Sequence, residues 1–330
     1  PCGMPTQTLA GQSPNTQVLV YSGKGTALAI ATRDNKIVNE TLDAAGDVLR
    51  IGIVGDLHTH WDETDVHQIG ALDYDLLYFT GDLGGGSTRS CLNMARLIAR
   101  LGKPALVMPG NNDTVDIGRL AAELNHQQGL NAILSITGRT DAAGPISLCG
   151  YSHHGVRVAG REISLIAARP HSMGGPELTF PEYMNETSGI STLDSSTARL
   201  CDLVDNAGDE IIFLAHNGPL GLGENPADMW GCDFKPGGGD WGDTDLAAAI
   251  AYARSRDKSV LAVIAGHMHL RTKHGDERPW RHHLNGTAYI NAARVPRIFS
   301  GDDDVYRHHV ELTIGAEKIA FREVLLPQYG

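Results

Sequence analysis

No apolar run in this chain approaches the roughly 20 residues that cross a bilayer, so the sequence predicts a soluble protein with no membrane partner. Nor do its first residues show a basic segment followed by an apolar stretch. Cysteine is scarce. The five (Cys2, Cys91, Cys149, Cys201 and Cys232) are widely spaced with no CxxC pair. That argues against a disulfide frame or a zinc knuckle and for neutral thiols in a reducing compartment, the cytoplasm or the plastid stroma. Positive charge is in deficit, with 27 Lys and Arg against 39 Asp and Glu and a net charge of −12. Non-specific binding to nucleic acid, which needs cations to displace counterions, is therefore not expected. A small phosphorylated substrate is still compatible, because bound metal cations reverse the sign of a local site. No repeat, linker or low-complexity segment interrupts the 330 residues. We read residues 1–48 as an N-terminal extension and 49–330 as one domain with long loops at 170–192 and 217–243. Oligomeric state is not encoded in any pattern we can read.

What is present is an alternation of strands and helices. In the extension, 18–21 and 27–31 read as a hairpin around Ser22-Gly23-Lys24-Gly25. From residue 50, apolar runs at 51–54, 75–80 and 105–108 alternate with helical patterns near 63–71, 92–101 and 116–127. Such alternation means βαβ units and a largely parallel sheet. Residues 132–167 look β-rich, with runs at 132–134, 146–148, 156–158 and 162–167. A helix near 194–206, a strand at 211–214, a helix at 244–254 and a strand at 260–264 follow. The tail from 286 to 325 reads as antiparallel strands.

Five of the buried runs end in the same way. Each is followed by metal-capable side chains: Gly55-Asp56-Leu57-His58, Gly81-Asp82, Gly110-Asn111-Asn112-Asp113, His216-Asn217-Gly218 and Gly266-His267-Met268-His269. In an open α/β sheet, ligands bind outside the carboxyl ends of the strands, so these groups are expected along one edge. Imidazole, carboxylate and amide oxygen together suit Mn, Fe, Zn or Ni, and the set is too large for one tetrahedral zinc.

In this order, Asp-x-His, Gly-Asp, Gly-Asn-x-Asp, a His after a strand and Gly-His-x-His resemble the calcineurin-like metallophosphoesterases over roughly residues 50–270. The Asn-Gly after His216 is similar to a bacterial and plastid branch of that family. The resemblance implies an α/β fold, a two-sheet β-sandwich of mixed sheets flanked by helices (αββα). It implies two divalent metal ions, one held by Asp56, His58 and His269, the other by Asn111, His216 and His267, with Asp82 bridging. It implies phosphomonoester or phosphodiester hydrolysis by a metal-bridging hydroxide attacking phosphorus in line. Many members carry His where this chain has Asn112, which can hydrogen-bond a phosphate but cannot act as a general acid. Asp113 is expected to orient Asn112 or a neighbouring ligand. Further candidate substrate contacts, placed by position alone, are Arg89, His153, His154, Arg169 and His171. His153 and His154 fit the surface equally well.

Two other readings compete. A non-catalytic scaffold on the same fold would bind a partner protein. An amide- or lactam-type hydrolase would use His58, His60 and Asp62, which spell HxHxD, but it leaves the later motifs unexplained. Asp302-Asp303-Asp304 reads as a solvated turn, and the pairs His282-His283 and His308-His309 as surface or strand residues. Trp230 and Trp241 either shape a lid or anchor the long loop.

Overall fold

The computed structural model describes residues 40–44, 46–125 and 146–328. The expected hairpin at 18–38 and the strand at 132–134 lie outside them. In chain order the elements are β1 (Glu40–Asp43), β2 (Leu49–Val54), α1 (Glu63–Ala71), β3 (Leu76–Phe79), α2 (Thr88–Ile98), β4 (Ala105–Val107), α3 (Ile117–Leu124), β5 (Ile146–Leu148), β6 (Ser152–Val158) and β7 (Arg161–Ala167). Then come α4 (Pro181–Ser188), α5 (Leu193–Asp205), β8 (Glu210–Leu214), α6 (Thr244–Ser255), β9 (Ser259–Ala265), β10 (Arg281–Leu284), β11 (Thr287–Asn291), β12 (Ile298–Ser300), β13 (Val305–Ile314) and β14 (Ile319–Pro327).

The central strands are apolar along nearly their whole length because both faces are covered. In β3, Leu76 and Tyr78 face the opposite sheet while Leu77 and Phe79 face helices. In β8, Ile212 and Leu214 face inward while Ile211 and Phe213 face the other helical layer. The strands therefore form two sheets, ordered β1-β6-β7-β8-β9-β11-β10 and β12-β13-β2-β3-β4-β5, with β14 paired to β13. One core lies between the sheets, a second packs the first sheet against α5 and α6, and a third packs the second sheet against α1, α2 and α3. This is the helix-flanked sandwich that the resemblance implied.

The structure corrects three local expectations. The five ligand-bearing strand ends do not share one sheet edge: β2, β3 and β4 belong to one sheet, β8 and β9 to the other. The tail is not wholly antiparallel. Strand β11 runs parallel to β9, with Ala288 opposite Ala262, while β10, β12, β13 and β14 pair antiparallel. The 170–192 connection contains α4, opened by Pro181 at a position where the missing N–H costs nothing. Of the paired histidines read as surface or strand residues, His308 and His309 are strand residues, buried in β13, and His282 and His283 are exposed on β10. Among the described residues no helix is long and apolar enough to cross a membrane. The described cysteines are free thiols, with Cys91, Cys149 and Cys232 buried.

Candidate metal centre

The two sheets present their ligand-bearing strand ends at adjoining rims. The backbones approach so closely there that side chains are excluded at key turns. A Cβ on Gly110 would lie 2.3 Å from an Asp82 carboxylate oxygen, and one on Gly266 would lie 2.2 Å from an Asp56 oxygen. The carboxylates nest in the space glycine leaves. His58, Asp82 and His267 have positive φ values of 41°, 48° and 66°. Non-glycine residues hold that conformation only where their surroundings enforce it.

Two donor groups result, Asp56 with His58 and His269, and Asp82 with His216 and His267. Within each group the candidate donor atoms lie within 4.8 Å of one another. His58 Nε2 is 3.0 Å from His269 Nε2, and His269 Nε2 is 3.9 Å from Asp56 Oδ2. His216 Nε2 is 2.9 Å from Asn111 Oδ1, which joins the second group. Asp82 faces both: Oδ2 lies 3.4 Å from His58 Nε2 and Oδ1 lies 3.6 Å from His216 Nε2.

Hydrogen bonds behind the groups fix how the donors point. His216 Nδ1 is 2.7 Å from the Thr80 carbonyl and His267 Nε2 is 3.1 Å from the Met173 carbonyl. A carbonyl only accepts, so those nitrogens carry the protons. The lone pairs of His216 Nε2 and His267 Nδ1 are then left for an ion. The Thr80 hydroxyl donates to Asp56 Oδ1 at 2.8 Å, and the His267 N–H donates to Asp56 Oδ2 at 3.0 Å. Burial alone would raise the Asp82 carboxyl. The facing imidazoles of His216, His58 and His267, with the Asn112 N–H, hold it below the ordinary carboxylate range. Burial, reinforced by His216, pushes His267 down to about 4, so it is neutral and able to ligate. Four imidazoles, two buried carboxylates and an amide oxygen converge, and no lysine or arginine pairs with either carboxylate among the described residues. The donor set fits two divalent cations.

The remaining site candidates fall out differently. Asn112 does not stand open toward a substrate: its N–H and Nδ2 donate to the two oxygens of Asp82 at 2.8 and 2.7 Å. Asp113 is buried and accepts from the N–H groups of Gly110 and Leu83, so it braces two ligand loops rather than Asn112 itself. Arg169 is not available for substrate, being buried and ion-paired with Asp243 and Asp245. His171 is also buried. Its Nδ1 sits 2.9 Å from the Gly110 carbonyl, behind the third motif. His154 is buried against Ser152, 2.9 Å away, and His153 is buried beside it in β6, so neither is a surface residue. Arg89 is exposed in the first turn of α2. His60 and Asp62 join neither donor group: His60 Nδ1 rests 3.2 Å from the Leu57 carbonyl, and Asp62 caps α1 and pairs with Arg307. The HxHxD spelling is therefore a capping feature. Trp230 is fully buried and anchors the long loop.

Sequence reasoning missed Thr80 and Met173. A hydroxyl directly before Gly81-Asp82 was a signal for the first. The second acts through its carbonyl, which no side-chain pattern reveals.

The family description "Calcineurin-like phosphoesterase" matches residues 49–271. Among solved structures, one superposes with a TM-score of 0.54 at 12% identity, covering 84% of this chain and 99% of its own. Two from Thermus thermophilus follow. The protein TT1561 has a TM-score of 0.46 at 13% identity, with 83% of this chain and 98% of that chain covered. The sulfate thiohydrolase SoxB in complex with glycerol has 0.39 at 17%, covering 77% and 39%. None of the curated proteins matches the chain.

Proposed function

The chain belongs to the calcineurin-like phosphoesterase family, and from that premise we propose that it hydrolyses a small phosphorylated substrate at a dinuclear metal centre. The observation that carries this reading is the position of Asp82, one carboxylate oxygen toward each of two donor groups. Asp56, His58 and His269 would hold one ion, Asn111, His216 and His267 the other, and Asp82 both. When bound, such ions supply Lewis acidity toward phosphoryl oxygens and lower the pKa of water from about 15.7 toward 7. Mn, Fe, Zn and Ni all suit these donors.

The chain's own residues do the rest. Thr80 and the His267 N–H fix the Asp56 carboxylate, and Asn112 fixes that of Asp82. Asp113 locks the second and third ligand loops to each other. Asn112 has no proton to give at neutral pH, so the reading favours esters whose leaving alkoxide is a weak base. The net charge of −12 favours a small substrate over nucleic acid.

The test is a hydrolysis panel of p-nitrophenyl phosphate and bis(p-nitrophenyl) phosphate with Mn²⁺, Zn²⁺, Ni²⁺ or Fe²⁺ added. Turnover that needs metal is expected. Two bound ions with no turnover under any metal would instead favour the partner-binding scaffold.

A further inference from the structure

The long loop 217–243 meets the metal centre at the Met173 carbonyl. Met173 O accepts from His267 Nε2 at 3.1 Å and from the Trp241 indole N–H at 2.9 Å. Trp241 therefore stands directly behind a candidate ligand. Phe234 meets it edge to face, with ring centres 5.3 Å apart and planes at 84°. Each ring carries an ammonium group: Lys235 Nζ lies 5.3 Å from the Trp241 ring centre and Lys273 Nζ lies 5.6 Å from that of Phe234. Lys273 lies four residues beyond His269, in the loop that supplies both histidines of the last motif. Two loops that each follow candidate ligands thus each bring one exposed cation to one aromatic pair.

Four of the nearby acids are already occupied, while Glu224, Asp276 and Glu277 are exposed to solvent. Asp233 accepts from the Lys273 backbone N–H at 2.6 Å and pairs with Arg278 at 3.2 Å. Asp240 accepts from the N–H groups of Gly221, Gly223 and Gly242 at 2.7, 3.0 and 2.8 Å. Asp228 accepts from the Asn225 N–H at 2.6 Å, and Asp243 pairs with Arg169. Neither ammonium group forms an ion pair among the described residues, in a chain whose net charge is −12. Aromatic faces hold a lysine in place without neutralising it. Phe234, 42% exposed, leaves the approach open.

We propose that Lys235 and Lys273 form a second anion subsite beside the metal centre, so that the preferred substrate carries a further phosphate or carboxylate besides the scissile phosphoester. The inference rests on the phosphoesterase reading above. In it the ions bind the reacting phosphoryl group, while the two ammonium groups bind the distal anion and orient the substrate.

The test compares n-hexyl phosphate with its ω-carboxylate and ω-phosphate analogues on the metal-loaded full chain. In the Lys235→Gln, Lys273→Gln double variant, the kcat/KM advantage of the two-headed substrates over n-hexyl phosphate is expected to fall about tenfold, mainly through KM. Lys235→Arg with Lys273→Arg should keep that advantage. Which analogue gains more distinguishes phosphate from carboxylate as the distal group. A second arm needs no turnover: titration calorimetry with hexamethylene diphosphonate should show about tenfold weaker binding to the glutamine variant. An unchanged substrate ratio, or unchanged diphosphonate binding, would overturn the subsite. If the parent protein hydrolyses no phosphoester under any metal, the phosphoesterase reading is what fails, and the calorimetry alone decides the subsite.

Discussion

Two clusters of buried polar side chains stand within the same sandwich, and their make-up differs in one respect. Behind α1, Arg297 and Arg307 converge on Asp65, each meeting one of its oxygens at 2.7 and 2.8 Å, and Arg307 also reaches Asp62 at 3.0 Å. Here the cations and anions are both part of the chain. At the rim, Asp56 and Asp82 are just as buried, yet their neighbours are four imidazoles, an amide and backbone N–H groups. The lone pairs converge, with no guanidinium or ammonium group among the described residues to pair with the two carboxylates. A buried ion cluster is complete when its own guanidinium groups match its carboxylates. A donor cluster without them is shaped for a metal. The same contrast separates Arg169, spoken for by Asp243 and Asp245, from Lys235 and Lys273, which rest on rings.

The contrast breaks most visibly at Asp82. Asp82→Asn removes the charge that both donor groups share. Phosphoester turnover should drop on the order of a thousandfold or more, the several kcal/mol that metal-assisted charge stabilisation supplies, while the melting temperature of the metal-free protein changes little. In the other cluster the effects should be reversed. Asp65→Ala leaves the buried Arg297 without a counter-charge and Arg307 with Asp62 alone, and should destabilise the fold by about 3–5 kcal/mol, read by urea denaturation. The metal content of whatever remains folded should be unchanged.

Acid should act first through buried imidazoles that lack any cation to protect. Burial, with Arg297 next in strength, pushes His309 down to about 3, and burial with His153 pushes His154 down to about 4. A folded pKa below the unfolded value of 6.5 means the unfolded chain takes up the proton first. The stability from keeping these rings neutral is complete above about pH 6.5 and is lost as pH falls toward 4. The loss is about 1.4 kcal/mol per pH unit for each ring. Melting curves between pH 7 and pH 5 measure it. His309→Gln, which keeps a partner for the Tyr74 hydroxyl now 2.7 Å away, should flatten the slope. The smallest effect belongs to the support of a single ligand. Thr80→Val removes the hydroxyl on Asp56 and should weaken metal affinity by about ten- to a hundredfold with little change in melting temperature, checked by metal titration.

The donor positions were legible in the sequence because strands covered on both faces are written as unbroken apolar runs. The first glycine and polar residue after such a run mark its end. That logic located Asp56, Asp82, Asn111, His216 and His267 without a structure. It did not say that the strands divide three and two between sheets, since an apolar run names no neighbour. Nor did it separate a site residue from a braced one. Arg169 meets its partners 74 and 76 residues further on, and β11 pairs parallel with β9 only because the chain between them crosses over. Helix α4, in which only Met184 is buried, was hidden in a Gly- and Pro-rich stretch. Asn112 looked like a substrate contact because its position did. Its amide is turned to Asp82 by backbone geometry that the sequence does not state.

The central claim is that Asp82 joins two metal sites into one centre. Mn²⁺ titration of the metal-free protein by calorimetry, with metal content measured after desalting, tests it most directly. The account predicts about two ions per chain in the parent and loss of both in Asp82→Asn. A parent that binds a single ion, or an Asp82→Asn protein that keeps two with undiminished affinity, would contradict it.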